Sequence, residues 1–192
     1  NNAFSYGGCQ DTGISEHRPP FPGTDWHLAR DGDGGPVVVD PGNAMRAYGS
    51  DNGSLVVTAD GGATWPFPAP LATGLPACAP PFATFSCAQP LAVDPNNGAV
   101  VYVKAGTQLF QSTNTAATFT LIRTFPSAIQ AMATVQIDSN TLWVGLANGV
   151  QRTSNALAGV GSTWTALTVT GALGQPVVDV AIDPLNTNEA VV

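Results

Sequence analysis

LAVDPNN at residues 91–97 is an apolar strand that runs into an aspartate and a polar turn, and the chain repeats this arrangement. VVVDPGN stands at 37–43, VQIDSNT at 135–141 and VAIDPLN at 180–186. The four aspartates, Asp40, Asp94, Asp138 and Asp183, lie 54, 44 and 45 residues apart. A fixed period of this size is the signature of a repeat architecture. The first interval is longer by about the length of a Pro- and Cys-bearing insertion, PACAPPFATFSCAQP at 76–90.

Each repeat continues in the same order. A short strand with one aromatic follows the Asp turn: AMRAYGS around Tyr48, AVVYVKA around Tyr102, TLWVGLA around Trp143. A Gly- or Asn-bearing hairpin comes next, at 51–53, 105–107 and 147–149, and then a third strand: SLVVTA, QLFQST, VQRTS. After a further turn, Trp65, Phe119 and Trp164 each open a fourth strand. Short strands bounded by Gly, Asn and Asp turns predict antiparallel sheet. No stretch keeps the i, i+3, i+4, i+7 pattern over three turns, so almost no helix is expected. One four-stranded sheet cannot bury both of its faces, whereas sheets stacked around an axis bury one another. The expected fold is therefore all-β, a β-propeller of four-stranded antiparallel blades.

Composition narrows the function. Of 192 residues 44% are apolar, enough for a core, and only 10% are charged. Acids outnumber bases 13 to 6, for a net charge of −7. That excludes a nucleic-acid binder that tracks phosphates with a basic face. No apolar run approaches the roughly 20 residues of a membrane-spanning helix. Cys78 and Cys87 lie in the Pro-rich insertion, where a local disulfide is expected; by the loop-entropy model it contributes about 2.5–3 kcal/mol. Cys9 is left over. Sparse charge, few Lys and a disulfide fit an exported protein, extracellular or periplasmic.

Thr58-Ala59-Asp60-Gly61-Gly62-Ala63-Thr64-Trp65 is similar to the Asp-box (BNR) repeat, S/T-x-D-x-G-x-T-W. The pattern has physical logic. Gly supplies positive φ, the Asp side chain caps turn N–H groups, and the Trp ring packs between sheets. A degenerate copy runs from Ser112 through Asn114 to Thr118 and Phe119; a third begins at Thr153-Ser154-Asn155 and reaches Thr163-Trp164 after an insertion. GGCQDTG at 7–13 and DWHLARDGDGGPVVVDPGN at 25–43 resemble segments of sortilin-like and BNR-repeat propellers. The resemblance spans nearly the whole chain. It implies a partial blade at about 1–30, blades at about 35–88, 89–132 and 133–174, and a partial blade at 175–192. The chain thus reads as an incomplete part of a larger propeller, its last segment a single innermost strand whose outer partners lie in further sequence or another subunit.

Relatives of this kind include sialidases, xyloglucan-degrading glycosidases, sortilin-type receptors and a photosystem assembly factor, so fold alone does not assign function. The box residues Thr58, Asp60, Gly62, Trp65, Ser112, Asn114, Phe119 and Trp164 are expected to be structural. Arg18, Arg30, Arg46, Arg123 and Arg152 all lack the F/Y-R-I-P setting typical of sialidases, and the only glutamates are Glu16 and Glu189. A glycosidase needs two facing carboxylates; Asp11 and Asp33, in loops that relatives place near the propeller face, are the weak candidates. Asp31 and Asp33 open a segment like a calcium loop, but position 42, where a bidentate Glu would fall, is Gly. His17 and His27 read as loop or packing residues. No G-x-S-x-G, P-loop or Rossmann fingerprint occurs, and no cofactor is expected. The leading reading is a non-catalytic exported scaffold or recognition module that presents loops to a protein or glycan partner. The alternatives are a glycoside hydrolase with its catalytic residues largely elsewhere, and a structural subunit of an extracellular assembly.

Overall fold

The computed structural model describes residues 4–19, 25–68, 73–80, 86–169 and 175–192. Among the described residues, sixteen strands form five antiparallel sheets in chain order. The first joins β1 (Ser5–Cys9), β2 (Gly13–His17) and β3 (His27–Arg30); the second joins β4 (Gly34–Val39), β5 (Ala47–Asp51) and β6 (Ser54–Thr58). The third has four strands: β7 (Gln89–Asp94), β8 (Asn97–Ala105), β9 (Gln108–Ser112) and β10 (Thr120–Thr124). The fourth also has four: β11 (Ile129–Val135), β12 (Asp138–Leu146), β13 (Gly149–Thr153) and β14 (Thr165–Leu167). The fifth is the hairpin β15 (Ala181–Asp183) and β16 (Asn186–Val191).

The repeated aspartates make the first turn of their sheets by one local device. The side chain of Asp40 accepts from the N–H of Gly42 at 2.8 Å, and those of Asp94, Asp138 and Asp183 accept from Asn96, Asn140 and Leu185 at 2.8–2.9 Å. An Asp that bonds the backbone two residues on mimics a turn and ends the strand. Neighbouring turns also join. Ser139 donates to Asp94 at 2.8 Å, and Asn96 Nδ2 donates to the Gln136 carbonyl at 2.8 Å.

Register makes the sheets equivalent. Tyr6, Tyr48, Tyr102 and Trp143 hold the same position of their strands. Two residues further on, Gly8, Ser50, Lys104 and Gly145 pair with Ile14, Leu55, Leu109 and Val150. Each such pair faces the next sheet. Tyr6 and Ile14 share a core with Trp65, Tyr48 and Leu55 share one with Phe119, and Tyr102 and Leu109 share one with Trp164. Burial pushes the phenols of Tyr6, Tyr48 and Tyr102 up to about 12, as expected of core residues.

The turn before each of Trp65, Phe119 and Trp164, which pack back on the preceding sheet, is held by one hydroxyl. Thr58 Oγ1 accepts from Gly62 N–H at 2.9 Å and donates to Asp60 at 2.8 Å. The Asp60 carboxylate then accepts from the Thr64 N–H at 3.0 Å and its hydroxyl at 2.7 Å. Ser112 repeats the relay with Ala116 N–H and Asn114, and Asn114 accepts from Thr118 N–H at 2.9 Å. In the third copy Thr153 donates to Asn155, which accepts from Thr163 N–H at 2.8 Å. There the insertion is a short 3₁₀ helix, Ala156–Gly161, looped out between Asn155 and Thr163 with their bond and the Thr153–Asn155 bond kept.

Two expectations are corrected. Trp65 does not open a fourth strand of the second sheet among the described residues. Pro66 and Pro68 follow it, and proline cannot donate to a ladder; one bond remains, from Val57 N–H to the Pro66 carbonyl at 3.1 Å. Nor is the stretch 175–192 a single strand. The Asp183 turn reverses it into the hairpin β15–β16, which packs on the fourth sheet through Val177, Val180 and a bond from Trp143 Nε1 to the Thr187 carbonyl at 3.0 Å. The expected blade boundary at 174 lies outside the described residues.

Positive φ falls on Gly61 and Gly62 in the first relay turn but on Thr115 and Ala116 in the second. A β-branched residue at φ 59 is strained by about 1–2 kcal/mol. Thr115→Gly should therefore raise the unfolding free energy by about 0.5–1 kcal/mol; a lower melting temperature would contradict this reading.

Asp60 yields a second prediction. Desolvation opposes its ionisation, but the bonds from Thr64 and Thr58 outweigh it and hold the carboxyl at about 2, against 3.8 ordinarily. Its contribution is complete above about pH 4 and is lost as pH falls toward 2. Asp60→Ala should cost about 1 kcal/mol at neutral pH. Asp60→Asn, which reproduces the Asn114 turn, should cost less and remove this part of the acid dependence. Chemical denaturation at several pH values checks both.

Candidate functional site

Four loops converge beside the first two sheets. They are the hairpin after β1, the link from β3 to β4, the hairpin after β5 and the segment closed by a disulfide between Cys78 and Cys87, whose Cα atoms are 4.8 Å apart. Residues 81–85, inside that segment, lie outside the described residues. The convergence depends on backbone meeting backbone. A Cβ on Gly34 would fall on the Gly13 carbonyl and crowd the Cys9 N–H. Asp11 sits in this hairpin at φ 62, and its N–H donates to Asp33 Oδ1 at 2.9 Å. The N–H of Asn52 donates to the Asp33 carbonyl at 2.9 Å. Asp11 and Asp33 are thus brought together, both exposed, on the rim.

Below them opens a cleft of about 970 Å³. Gln10, Asp33, Asn52, Gln89 and the disulfide line it, with Ser50, Asp51, Arg30 and Phe67 deeper. Asp51 is 2% exposed, and both of its oxygens are engaged. Arg30 Nε donates to one at 2.5 Å and Asn52 Nδ2 to the other at 2.6 Å. Arg30 also donates to the Trp65 carbonyl at 2.7 Å and lies 4.1 Å above the Phe67 ring. The hydroxyl of Ser50 is different: the residue is fully buried and its Oγ has no hydrogen-bond partner. A buried hydroxyl left unpaired costs about 1–3 kcal/mol, which a ligand atom reaching it would recover.

Asp31 is spent on its own loop, accepting from Gly32 N–H at 2.9 Å. Among the described residues no group of three or more His, Cys, Asp or Glu side chains is placed to hold a metal ion. Thr58, Asp60, Ser112, Asn114, Phe119 and Trp164 lie outside the cleft lining. Sequence reading marked Asp33 but missed Ser50, Asp51, Arg30, Gln10 and Gln89. Asp51-Asn52-Gly53 was legible only as a hairpin turn, and Arg30 pairs with Asp51 across 21 residues.

No protein-family profile matches the chain, and no curated protein sequence does. Solved structures do match. An ancestral GH74 enzyme superposes with a TM-score of 0.65 at 16% identity, over 88% of this chain and 23% of its own. The GH74 xyloglucanase from Xanthomonas campestris gives 0.66 at 16% identity, over 98% and 33%. YCF48 from Cyanidioschyzon merolae gives 0.56 at 15% identity, over 88% and 57%. The likeness supports a β-propeller fold. This chain spans less than two thirds of the length of each of these proteins.

The Arg30–Asp51 pair is the structural floor of the cleft. Removing one partner of a buried pair strands the other. Arg30→Met should cost about 3 kcal/mol in urea unfolding; a cost below about 1 kcal/mol would show that Asp51 does not depend on Arg30.

Proposed function

We propose that this chain is a recognition segment of an exported, Asp-box-type β-propeller that forms part of a larger ring, and that its polar cleft binds a glycan. The observation that carries this is the buried, unpartnered hydroxyl of Ser50 at the base of a cleft lined by Gln10, Asp33, Asn52 and Gln89. Amides, a hydroxyl and a carboxylate supply both donors and acceptors, which suits ligands dense in hydroxyl groups. The exported setting is supported by the Cys78–Cys87 disulfide. The Asp-box assignment is supported by the three relay turns at Thr58, Ser112 and Thr153.

Hydrolysis in this cleft has weaker support. Two carboxyl groups must flank the scissile bond, one as acid and one as base or nucleophile. The carboxylates lining the cleft are Asp33 and Asp51, and Asp51 is committed to Arg30 and Asn52. The second reading, a glycoside hydrolase to which this chain contributes Asp33, is favoured by the GH74 neighbours.

Titration of the isotope-labelled chain with xyloglucan and cello-oligosaccharides separates the readings. Recognition predicts saturable shifts of the Gln10, Ser50, Asn52 and Gln89 amides. Ser50→Ala should weaken binding by about 3–10-fold while leaving the unliganded chain as stable or more so. No shift at millimolar oligosaccharide would end the glycan reading. Release of reducing sugar that Asp33→Asn abolishes would favour the hydrolase.

A further inference from the structure

The Ser50 cleft carries negative charge that its own lining does not balance. Arg30 is the one cation among the described residues that line it. Its guanidinium is already committed: it donates to Asp51 and to the Trp65 carbonyl, and it lies over the Phe67 ring. Asp51 is thereby neutralised, and Asp33 is not. Asp33 Oδ1 accepts the Asp11 N–H at 2.9 Å, and no donor among the described residues engages its Oδ2. Asp31, on the same link between β3 and β4, and Asp11, in the facing hairpin, are both exposed and add two more carboxylates.

Acidic loops alone do not make a site, because water solvates them well. Here a second observation points to a ligand. Ser50 Oγ lies at the base of the same cleft, fully buried and without a partner. A hydroxyl can donate or accept, and the carboxamides of Gln10, Asn52 and Gln89 stand around it. A matching ligand brings hydroxyl groups to the base and positive charge to the rim at Asp33. The volume of about 970 Å³ is at the upper end for small-molecule sites, which suits a short oligomer.

We infer that the glycan taken by this cleft is an amino-sugar chain whose protonated amines face Asp33, with Asp11 and Asp31 steering its approach. This rests on the glycan reading above and narrows it. An ammonium on Asp33 Oδ2 makes a charge-assisted hydrogen bond, about twice as strong as a neutral one. A hydroxyl or an N-acetyl group on the same sugar carbon carries no charge, so a neutral chain keeps only the contacts made by its hydroxyls. A chain of acidic sugars meets like charge at the rim, and Arg30 is already committed to Asp51, so such a chain is rejected.

Titration of the intact, isotope-labelled chain with a glucosamine tetramer, its N-acetylated form and cellotetraose tests this at about pH 6, where such an amine is protonated. Cellotetraose has a hydroxyl where the glucosamine tetramer has its amine, so the two differ in charge with little change of shape. All three should shift the Gln10, Ser50, Asn52 and Gln89 amides. The glucosamine tetramer should bind at least about tenfold more tightly than either neutral chain, and its advantage should shrink as salt is raised. Asp33→Asn keeps an acceptor for the Asp11 N–H and should bring the three affinities to within about threefold of one another. Equal affinity for the glucosamine tetramer and cellotetraose overturns the inference and leaves the glycan reading standing, as does a preference that Asp33→Asn leaves unchanged. Binding of none of the three ends both. A lysine tetrapeptide that binds the same amides as tightly as the glucosamine tetramer assigns the rim to a cationic peptide and overturns the inference as well.

Discussion

A short antiparallel sheet has two faces, and four strands cannot bury both. In this chain an aromatic residue set just beyond a hydrogen-bonded turn carries the contact from one sheet to the one before it. The turn matters because it fixes where the ring leaves the backbone. Thr58, Ser112 and Thr153 each place one hydroxyl between a carboxylate or carboxamide two residues on and, in the first two turns, an N–H four residues on. That relay survives Asp-to-Asn exchange, Gly-to-Ala exchange at positive φ and the insertion of a 3₁₀ helix. What persists through these changes is the hydroxyl, the side-chain oxygen and the ring.

The same construction separates the sheet framework from the loops beside it. Interlocking rings and Asp turns take up the sheet faces and one set of ends. The loops beside the first two sheets are left to vary, and there the chain collects Gln10, Asp33, Asn52 and Gln89 around Ser50. Loops held by a rigid scaffold are where binding groups gather. The disulfide between Cys78 and Cys87 adds a wall to that cleft, contributed by the insertion that lengthens the interval between Asp40 and Asp94.

The fold was legible in the sequence where its causes are local. An Asx turn needs an Asp and its next two residues, so Asp40, Asp94, Asp138 and Asp183 announce themselves. The hydroxyl relay spans seven residues and is equally plain. Errors arose where a second local rule intervened or the partner was remote. Pro66 and Pro68 deny the second sheet the strand that Trp65 led one to expect. The polar run Asn186–Glu189 hid β16, which is positioned by its turn and by Trp143. Most of the candidate site was not legible. Arg30 finds Asp51 only because the end of β3 meets the hairpin after β5, and Ser50 acquires meaning only when its hydroxyl is seen to be buried without a partner.

The central claim is that turn and ring act as one unit, and a double-mutant cycle tests it most directly. Unfolding free energies of the parent, Asp60→Ala, Trp65→Ala and the double variant would be measured under one condition. Losing the turn should free the ring, and losing the ring should make the turn redundant. The account predicts that the double variant loses less than the two single losses combined, by about 1 kcal/mol. Losses that add within about 0.3 kcal/mol would contradict it, and would make the turn and the aromatic independent features that happen to adjoin.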